Sequence, residues 1–272
     1  MIVMAWWFPW RARAVPVVEL HGLIAARPGA VSLASHGPLI TRAFRAARRG
    51  GDLILDINSP GGSPVQSALL AALIRREAGK RTVRVHAVIA DVGASGGYWL
   101  ACAAERIHAN PMSVVGSIGV IGGGFGFAGL LARWGIERRL YTAGANKARL
   151  DPFTPERAED VTFARQLAAD IHERFKNWVR ERRGPRLAGA EEELFDGSFF
   201  LGDRALALGL VDGHEDLAAL VESLGGRGAR PRRFRPRPRG LLARLPRRLV
   251  AETLAALEEE TALAGARAGR GR

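Results

Sequence analysis

Three apolar, β-branched runs of strand length, at residues 15–20, 53–57 and 83–90, constrain this chain more than any other feature. A run without polar alternation suits a strand covered on both faces, which is the condition of a parallel sheet. Between the second and third runs Leu69, Leu70, Leu73 and Ile74 fall at helical spacing within residues 65–77, so the order strand, helix, strand is that of a βαβ unit. The expected class is therefore α/β. Further along, the pattern predicts a helix opening near Ser95, a strand at 106–109, a helix at 127–134, a strand at 137–141 and a short helix at 203–208 closed by Gly209. A long amphipathic helix is expected over 155–183, with Thr154 as N-cap, Pro155 at its first position, and Val161, Leu167, Ile171, Phe175 and Val179 along one face.

Two of the turns that close a strand and open a helix are rich in glycine. Asp56-Ile-Asn-Ser-Pro-Gly-Gly62 follows the second run, and glycines there let the backbone approach a ligand while free N–H groups near a helix start favour developing negative charge. The same residues also make an ordinary turn. Asp91-Val-Gly-Ala-Ser-Gly-Gly-Tyr98 follows the third run and sets Ser95 among Gly93, Gly96 and Gly97, where small neighbours leave its hydroxyl open to a substrate carbonyl. Ser95 as a plain N-cap is the competing reading. A nucleophilic serine needs a base, and none of the six histidines (His21, His36, His86, His108, His172 and His214) stands in a context that marks it as one. Lys147 lies in a loop of small residues before the long helix, while Lys80 and Lys176 adjoin charged residues. A lysine serves as a base only where desolvation or nearby positive charge favours its neutral form.

The single cysteine, Cys102, excludes an intramolecular disulfide, and no metal-ligand spacing or dinucleotide fingerprint occurs, so neither a metal nor a cofactor is expected. The formal net charge is +13, but residues 227–272 hold 13 Arg and four Glu, or +9, which leaves +4 for residues 1–226. The basicity belongs to one end of the chain. Four regions are accordingly expected: an apolar, aromatic segment at 1–14, a main domain at 15–225, an Arg/Pro-rich linker at 226–248 expected to be disordered, and a short helix and tail at 249–272. The uncharged stretch 109–132 contains seven glycines and Pro111, which suit close-packed turns and strands better than a helix facing lipid.

Asn58-Ser-Pro-Gly-Gly62, Gly93-Ala-Ser-Gly-Gly-Tyr98, Val115-Gly-Ser-Ile-Gly-Val120, the stretch from Ala143 to Lys147 with Asp151-Pro-Phe153, and Asp196-Gly-Ser-Phe-Phe-Leu-Gly202 with Gly209-Leu-Val-Asp212 follow one another along the chain. Together these segments resemble the signal peptide peptidase A and SohB family of serine peptidases, over residues 15–220. The resemblance implies the Clp protease/crotonase-like fold, a repeated ββα superhelix with mainly parallel sheets. It implies a Ser-Lys dyad, with Ser95 as nucleophile and Lys147 as general base. Ser117 would orient the lysine amine, and Gly61, Gly62 and Gly96 would supply oxyanion-hole N–H groups. In that family the dyad residues come from neighbouring subunits or tandem halves, so a homo-oligomeric ring is expected.

Expected substrates are peptides such as remnant signal peptides or membrane-protein fragments. The Arg-rich segment reads either as a disordered solubilising tail or as a contact for an anionic membrane surface, with nucleic acid the weaker alternative. Lacking a cleavable signal or clear transmembrane helix, the chain is expected to be cytoplasmic or peripheral on the inner membrane. A crotonase-type acyl-CoA enzyme and a catalytically inactive membrane-associated scaffold are the alternatives from other classes.

Overall fold

The computed structural model describes residues 14–236. The three runs form strands β1 (Ala14–His21), β2 (Asp52–Ser59) and β3 (Arg84–Ala94), joined in parallel with Val18 opposite Leu55 and Leu55 opposite Ala87. Strand β4 (Arg106–Ala109) also runs parallel to β3, and β5 (Val114–Gly116) continues along β3 further toward its C-terminal end. The antiparallel partner of β5 is β6 (Phe199–Leu201), and β7 (Arg230–Phe234) lies parallel to β1 at the other edge. The sheet order is thus β6-β5-β3-β2-β1-β7, with β4 also on β3. This is the mixed α/β, mainly parallel architecture that the apolar runs call for.

Helices α1 (Leu33–Ala46) and α2 (Pro64–Arg81) cover one face, and α3 (Gly96–Ala101) follows β3 directly. Leu20, Leu55, Ile57, Phe44, Leu70, Ile74 and Tyr98 are fully buried in the core they share. Ser32 caps α1 in a reciprocal pair with Ser35, and Ser63 caps α2 with Pro64 at its first position. Helix α4 (Ala128–Arg133) is short, and α5 (Ala158–Arg183) is the long helix. Its last turns reach the core: Phe175 and Val179 are buried, Trp178 stacks on Trp99 of α3, and the Trp178 indole N–H donates to the Trp99 carbonyl at 3.0 Å. Then come α6 (Glu191–Leu194), α7 (Gly202–Ala207) and α8 (Leu217–Gly225). On the sheet's opposite face, Leu220 and Val221 of α8 pack against Val15, Val17, Ile54 and Val88.

The end of α5 is fixed by a buried ion pair. Arg183 donates to the Asp212 carboxylate at 2.8 and 3.1 Å and to the Gly209 carbonyl at 2.7 and 2.9 Å, while Asp212 also accepts from the Ile107 N–H at 2.8 Å. Every oxygen in the cluster has a donor, which is what makes such a pair tolerable without water. Gly209 itself has φ +72°, and a Cβ there would run into the Arg186 carbonyl.

Three expectations are corrected. Residues 137–141 form no strand: among the described residues none pairs with them in a ladder, and all five are exposed. Helix α5 begins at Ala158, not at Pro155: the Thr154 hydroxyl donates to the Asp151 carbonyl at 3.2 Å, and the Phe153 N–H donates to Asp151 Oδ1 at 3.1 Å, so these residues close a turn instead of capping a helix. Residues 230–234, assigned above to a disordered linker, are β7, held by Phe234 in the core and by Arg233, whose guanidinium donates to Glu19 at 2.8 Å and Asp56 at 3.3 Å. The expectations for 1–13 and 237–272 lie outside the described residues.

Candidate active site

Ser95 stands at the junction of β3 and α3 with φ 50° and ψ −120°, a left-handed conformation that a non-glycine residue pays to adopt. It occupies the N-cap position, yet its side chain makes no capping hydrogen bond. Capping therefore does not explain the residue. The strain is held by its neighbours: the Ser95 N–H donates to the Gly116 carbonyl at 2.8 Å, and its carbonyl accepts from the Trp99 N–H at 2.9 Å. The hydroxyl is left half-exposed on a fixed turn, which is the geometry of a strained nucleophile.

The glycine turn after β2 lies directly against it. A Cβ on Gly61 would come within 2.6 Å of the Gly96 nitrogen and 2.8 Å of Ser95 Cβ, and a Cβ on Gly96 would come within 2.5 Å of Ser67 Oγ. Only glycine permits that approach. Gly62 has φ +135° and abuts the Ile24 carbonyl. The three N–H groups differ. Gly61 donates to Ser59 Oγ at 3.2 Å, whereas among the described residues no acceptor takes the N–H of Gly62 or of Gly96.

Ser117 reaches the same place because Ala94 of β3 pairs with Gly116 of β5. It too has a left-handed φ, 50°, and its N–H donates to the Ser198 carbonyl at 2.7 Å. Ser95, Ser117, Gly61, Gly62 and Gly96 are thus gathered by the ends of β2, β3 and β5. Lys147 is not among them. It lies in a turn within residues 121–159, a stretch in which no residue is buried. Ile121 is 99% exposed, Phe125 82%, Trp134 71% and Tyr141 89%. Arg138 pairs with Asp151 and sits 5.0 Å over the Phe153 ring, Phe153 stacks on Phe127, and Arg149 pairs with Asp160 at 3.1 Å, so this arm has internal order. The Arg138 guanidinium, with the Phe153 N–H, holds the Asp151 carboxyl below its usual range.

Competing bases and nucleophiles are engaged elsewhere. His21 faces Asp56, His36 faces Ser35, His86 faces Asp52, and His108 lies 3.4 Å from Glu215; His172 and His214 bond the carbonyls of Ile118 and Ala109. Burial pushes the Cys102 thiol up to about 12, leaving it protonated and unreactive at neutral pH. Lys80 pairs with Glu77 at 3.6 Å and Lys176 with Glu173 at 2.5 Å, while among the described residues the Lys147 amine makes no ion pair. The same residues contain no group of three or more His, Cys, Asp or Glu placed to hold a metal ion, and no helix long and apolar enough to cross a membrane.

Residues 77–226 match the profile of peptidase family S49. A protein named Na(+)/H(+) antiporter NhaA from Brucella melitensis is 44% identical over 245 residues, covering 87% of this chain and 33% of that protein. A protein described as a candidate SohB protease from Buchnera aphidicola subsp. Baizongia pistaciae is 32% identical over 197 residues, 72% of this chain and 54% of that one. A candidate signal peptide peptidase SppA from Enterococcus faecium is 31% identical over 160 residues, 59% of this chain and 46% of that one. The chain thus spans between a third and about half of the length of these relatives.

Proposed function

The chain belongs to peptidase family S49, whose fold is the Clp protease/crotonase-like one expected above, and on that premise we propose that it is a serine endopeptidase with a Ser95–Lys147 dyad. The observation that carries the reading is Ser95 itself, a strained residue at a helix start whose hydroxyl does no capping. Its family membership turns attention from acyl-CoA chemistry to peptide bonds.

The chemistry follows from the groups. Neutral Lys147 Nζ removes the Ser95 hydroxyl proton as Oγ attacks the scissile carbonyl carbon. The oxyanion that forms is met by the two uncommitted N–H groups, Gly62 and Gly96, each worth about 3–4 kcal/mol where such a donor has been removed from a serine protease. The lysine ammonium then gives its proton to the leaving amine, and the acyl group stays on Ser95. Water attacks that ester as Lys147 accepts its proton; the bond from the acyl carbon to Oγ then breaks, Lys147 returns the proton to Ser95 Oγ, and the new carboxyl terminus leaves. Ser117 is proposed to orient the amine, and Gly61 to shape the turn rather than to donate.

The dyad is proposed to form between copies. Lys147 rides on an arm that buries no residue and exposes large apolar side chains, more than an isolated soluble subunit usually shows. Packing the arm on a second copy would cover those side chains and strip water from the lysine, the condition in which an amine acts as a base. Peptides such as remnant signal peptides or membrane-protein fragments are the proposed substrates. Arg227, Arg230, Arg232 and Arg235, all exposed, are the proposed contact with an anionic membrane, testable by liposome sedimentation of the full chain against a variant in which these four arginines are changed to serine. The enzyme reading is tested by a fluorophosphonate serine reagent and mass spectrometry: Ser95 is expected to carry the label, and an unlabelled Ser95 in folded protein would favour an inactive scaffold.

A further inference from the structure

Ser59 ends β2, is fully buried, and has no part in the dyad. Its hydroxyl donates to the Gly22 carbonyl at 2.7 Å, at the end of β1, and accepts the Gly61 N–H at 3.2 Å. One side chain thereby joins the turn after β1 to the turn carrying the candidate oxyanion donor. Both hydrogen-bonding roles of the hydroxyl are used within the protein, so it is not available to substrate. The backbone of Ser59 is equally fixed: it pairs with Gly93 across a register irregularity, and a Cβ on Gly97 of α3 would strike the Ser59 carbonyl.

The consequence concerns direction. Gly61 at φ +100° and Gly62 at φ +135° could take either hand, so the two peptide planes of the turn are held by their hydrogen bonds: Ser59 Oγ accepts the Gly61 N–H of the Pro60–Gly61 plane, and the Gly61 carbonyl of the Gly61–Gly62 plane accepts the Ile24 N–H at 2.8 Å. With both planes fixed, the Gly62 N–H, which shares its plane with the bonded Gly61 carbonyl, is left uncommitted. We propose that Ser59 is a positioning residue: by tying the Gly61 amide to the Gly22 carbonyl it holds the turn against the strap whose Ile24 N–H bonds the Gly61 carbonyl, and so presents the Gly62 N–H to the oxyanion of the reaction proposed above, on which this inference rests. A hydroxyl suits the place: its oxygen accepts one bond and gives one.

The test uses the full chain and the variants Ser59→Ala and Ser59→Thr. For Ser59→Ala, kcat is expected to fall about 10- to 100-fold with KM changed less than about threefold, because a misplaced donor is felt in the transition state and not in ground-state binding. Inhibition by a peptide boronate, which mimics the tetrahedral state, is expected to weaken by the same factor as kcat. The Gly61 amide, followed by hydrogen exchange, is expected to be slow in the natural chain and fast in Ser59→Ala. Ser59→Thr keeps the hydroxyl and is expected to retain both slow exchange and most of kcat. Unchanged kcat in folded Ser59→Ala, a loss carried by a raised KM with kcat unchanged, or a Gly61 amide that exchanges fast in the natural chain would each overturn the proposal. Should Ser59→Ala not fold, the exchange of Gly61 in the natural chain and the kcat of Ser59→Thr still decide it. A natural chain with slow Gly61 exchange but no labelling of Ser95 would instead overturn the peptidase reading.

Discussion

Residues 14–118 bury Val17, Val18, Leu20, Leu53, Leu55, Ile57, Val85 and Ile107 completely, whereas from 121 to 159 no residue is buried, although Ile121, Phe125, Trp134 and Tyr141 are as apolar as anything in the core. The first region satisfies its backbone in ladders and its side chains in a shared core. The second satisfies itself locally, through Arg138 with Asp151, Phe127 on Phe153 and Arg149 with Asp160. Helix α5 belongs to both: Asp160 answers the arm, while Phe175, Val179 and Arg183 answer the body. In the dyad proposed above, the body contributes Ser95, already strained into place. The arm holds Lys147 on a surface that calls for a partner, so the two halves differ in what completes them.

The comparison breaks first at the dyad. Ser95→Ala in the body and Lys147→Ala in the arm are each expected to lower kcat by about a millionfold, as loss of a catalytic serine does, with circular dichroism unchanged. Retained cleavage in both variants would remove the dyad. Next comes Arg183→Ala, which removes the buried partner of Asp212 and leaves it only the more exposed Arg186 at 3.6 Å and Arg106 at 3.9 Å, and is expected to cost about 3 kcal/mol in denaturant unfolding. A loss below about 1 kcal/mol would show that the end of α5 is not what secures it to the body.

Gly96→Ala follows, because its Cβ would press on Ser67 Oγ at 2.5 Å and displace an oxyanion donor. A fall of about 10²–10³ in kcat is expected, with KM nearly unchanged. The arm gives the smallest stability effect. Trp134→Ser with Tyr141→Ser is expected to move subunit stability by less than about 1 kcal/mol, since neither side chain is buried, and to shift sedimentation toward smaller species. A large loss of subunit stability with unchanged assembly would reverse the roles assigned to body and arm.

Proton linkage sharpens the same contrast, since the resolved shifts with the largest structural consequence belong to the body. Burial, aided by the charge of His21, lowers the His36 pKa, and burial lowers that of His108. Their unfolded forms take up protons first, so they remove stability as pH drops below about 6.5. His21 is raised, chiefly by its hydrogen bond to Asp56, and works in the opposite sense: its contribution is present below about 6.5 and is lost as pH rises through its folded value. Against the cost of burial, Arg183 holds the Asp212 carboxyl below its usual range, so that contribution is present above about 3.9 and lost as pH falls through the folded value. Melting temperature is expected to decline modestly from about pH 7 to 5 and steeply below about pH 4. A profile flat to pH 3 would contradict the Asp212 assignment.

Much of the body was legible in the sequence because buried parallel strands leave uninterrupted apolar runs, and because Ser95 and the Gly61–Gly62 turn sit where such runs give way to helices. Less was legible where partners are distant in sequence. Residues 230–234 read as a basic linker, yet Arg233 finds Glu19 and Asp56 on neighbouring strands, a pairing that no local pattern reveals. Thr154-Pro155 read as a helix start, but Asp151 drew both Thr154 and Phe153 into a turn. Ser59 was in view within Asn58-Ser-Pro-Gly-Gly62, but its bond to the Gly22 carbonyl across 37 positions was not.

The central claim, that the Ser95 of one subunit works with the Lys147 of another, is tested most directly by mixing. Ser95→Ala and Lys147→Ala proteins, each inactive alone, would be unfolded together in equal amounts, refolded and assayed for peptide cleavage. If each site takes its serine and lysine from neighbouring copies, random assembly returns about a quarter of the natural activity. Mixed assemblies, verified by a size difference between the variants, that remain inactive would contradict the claim, as would full activity in a natural chain held monomeric.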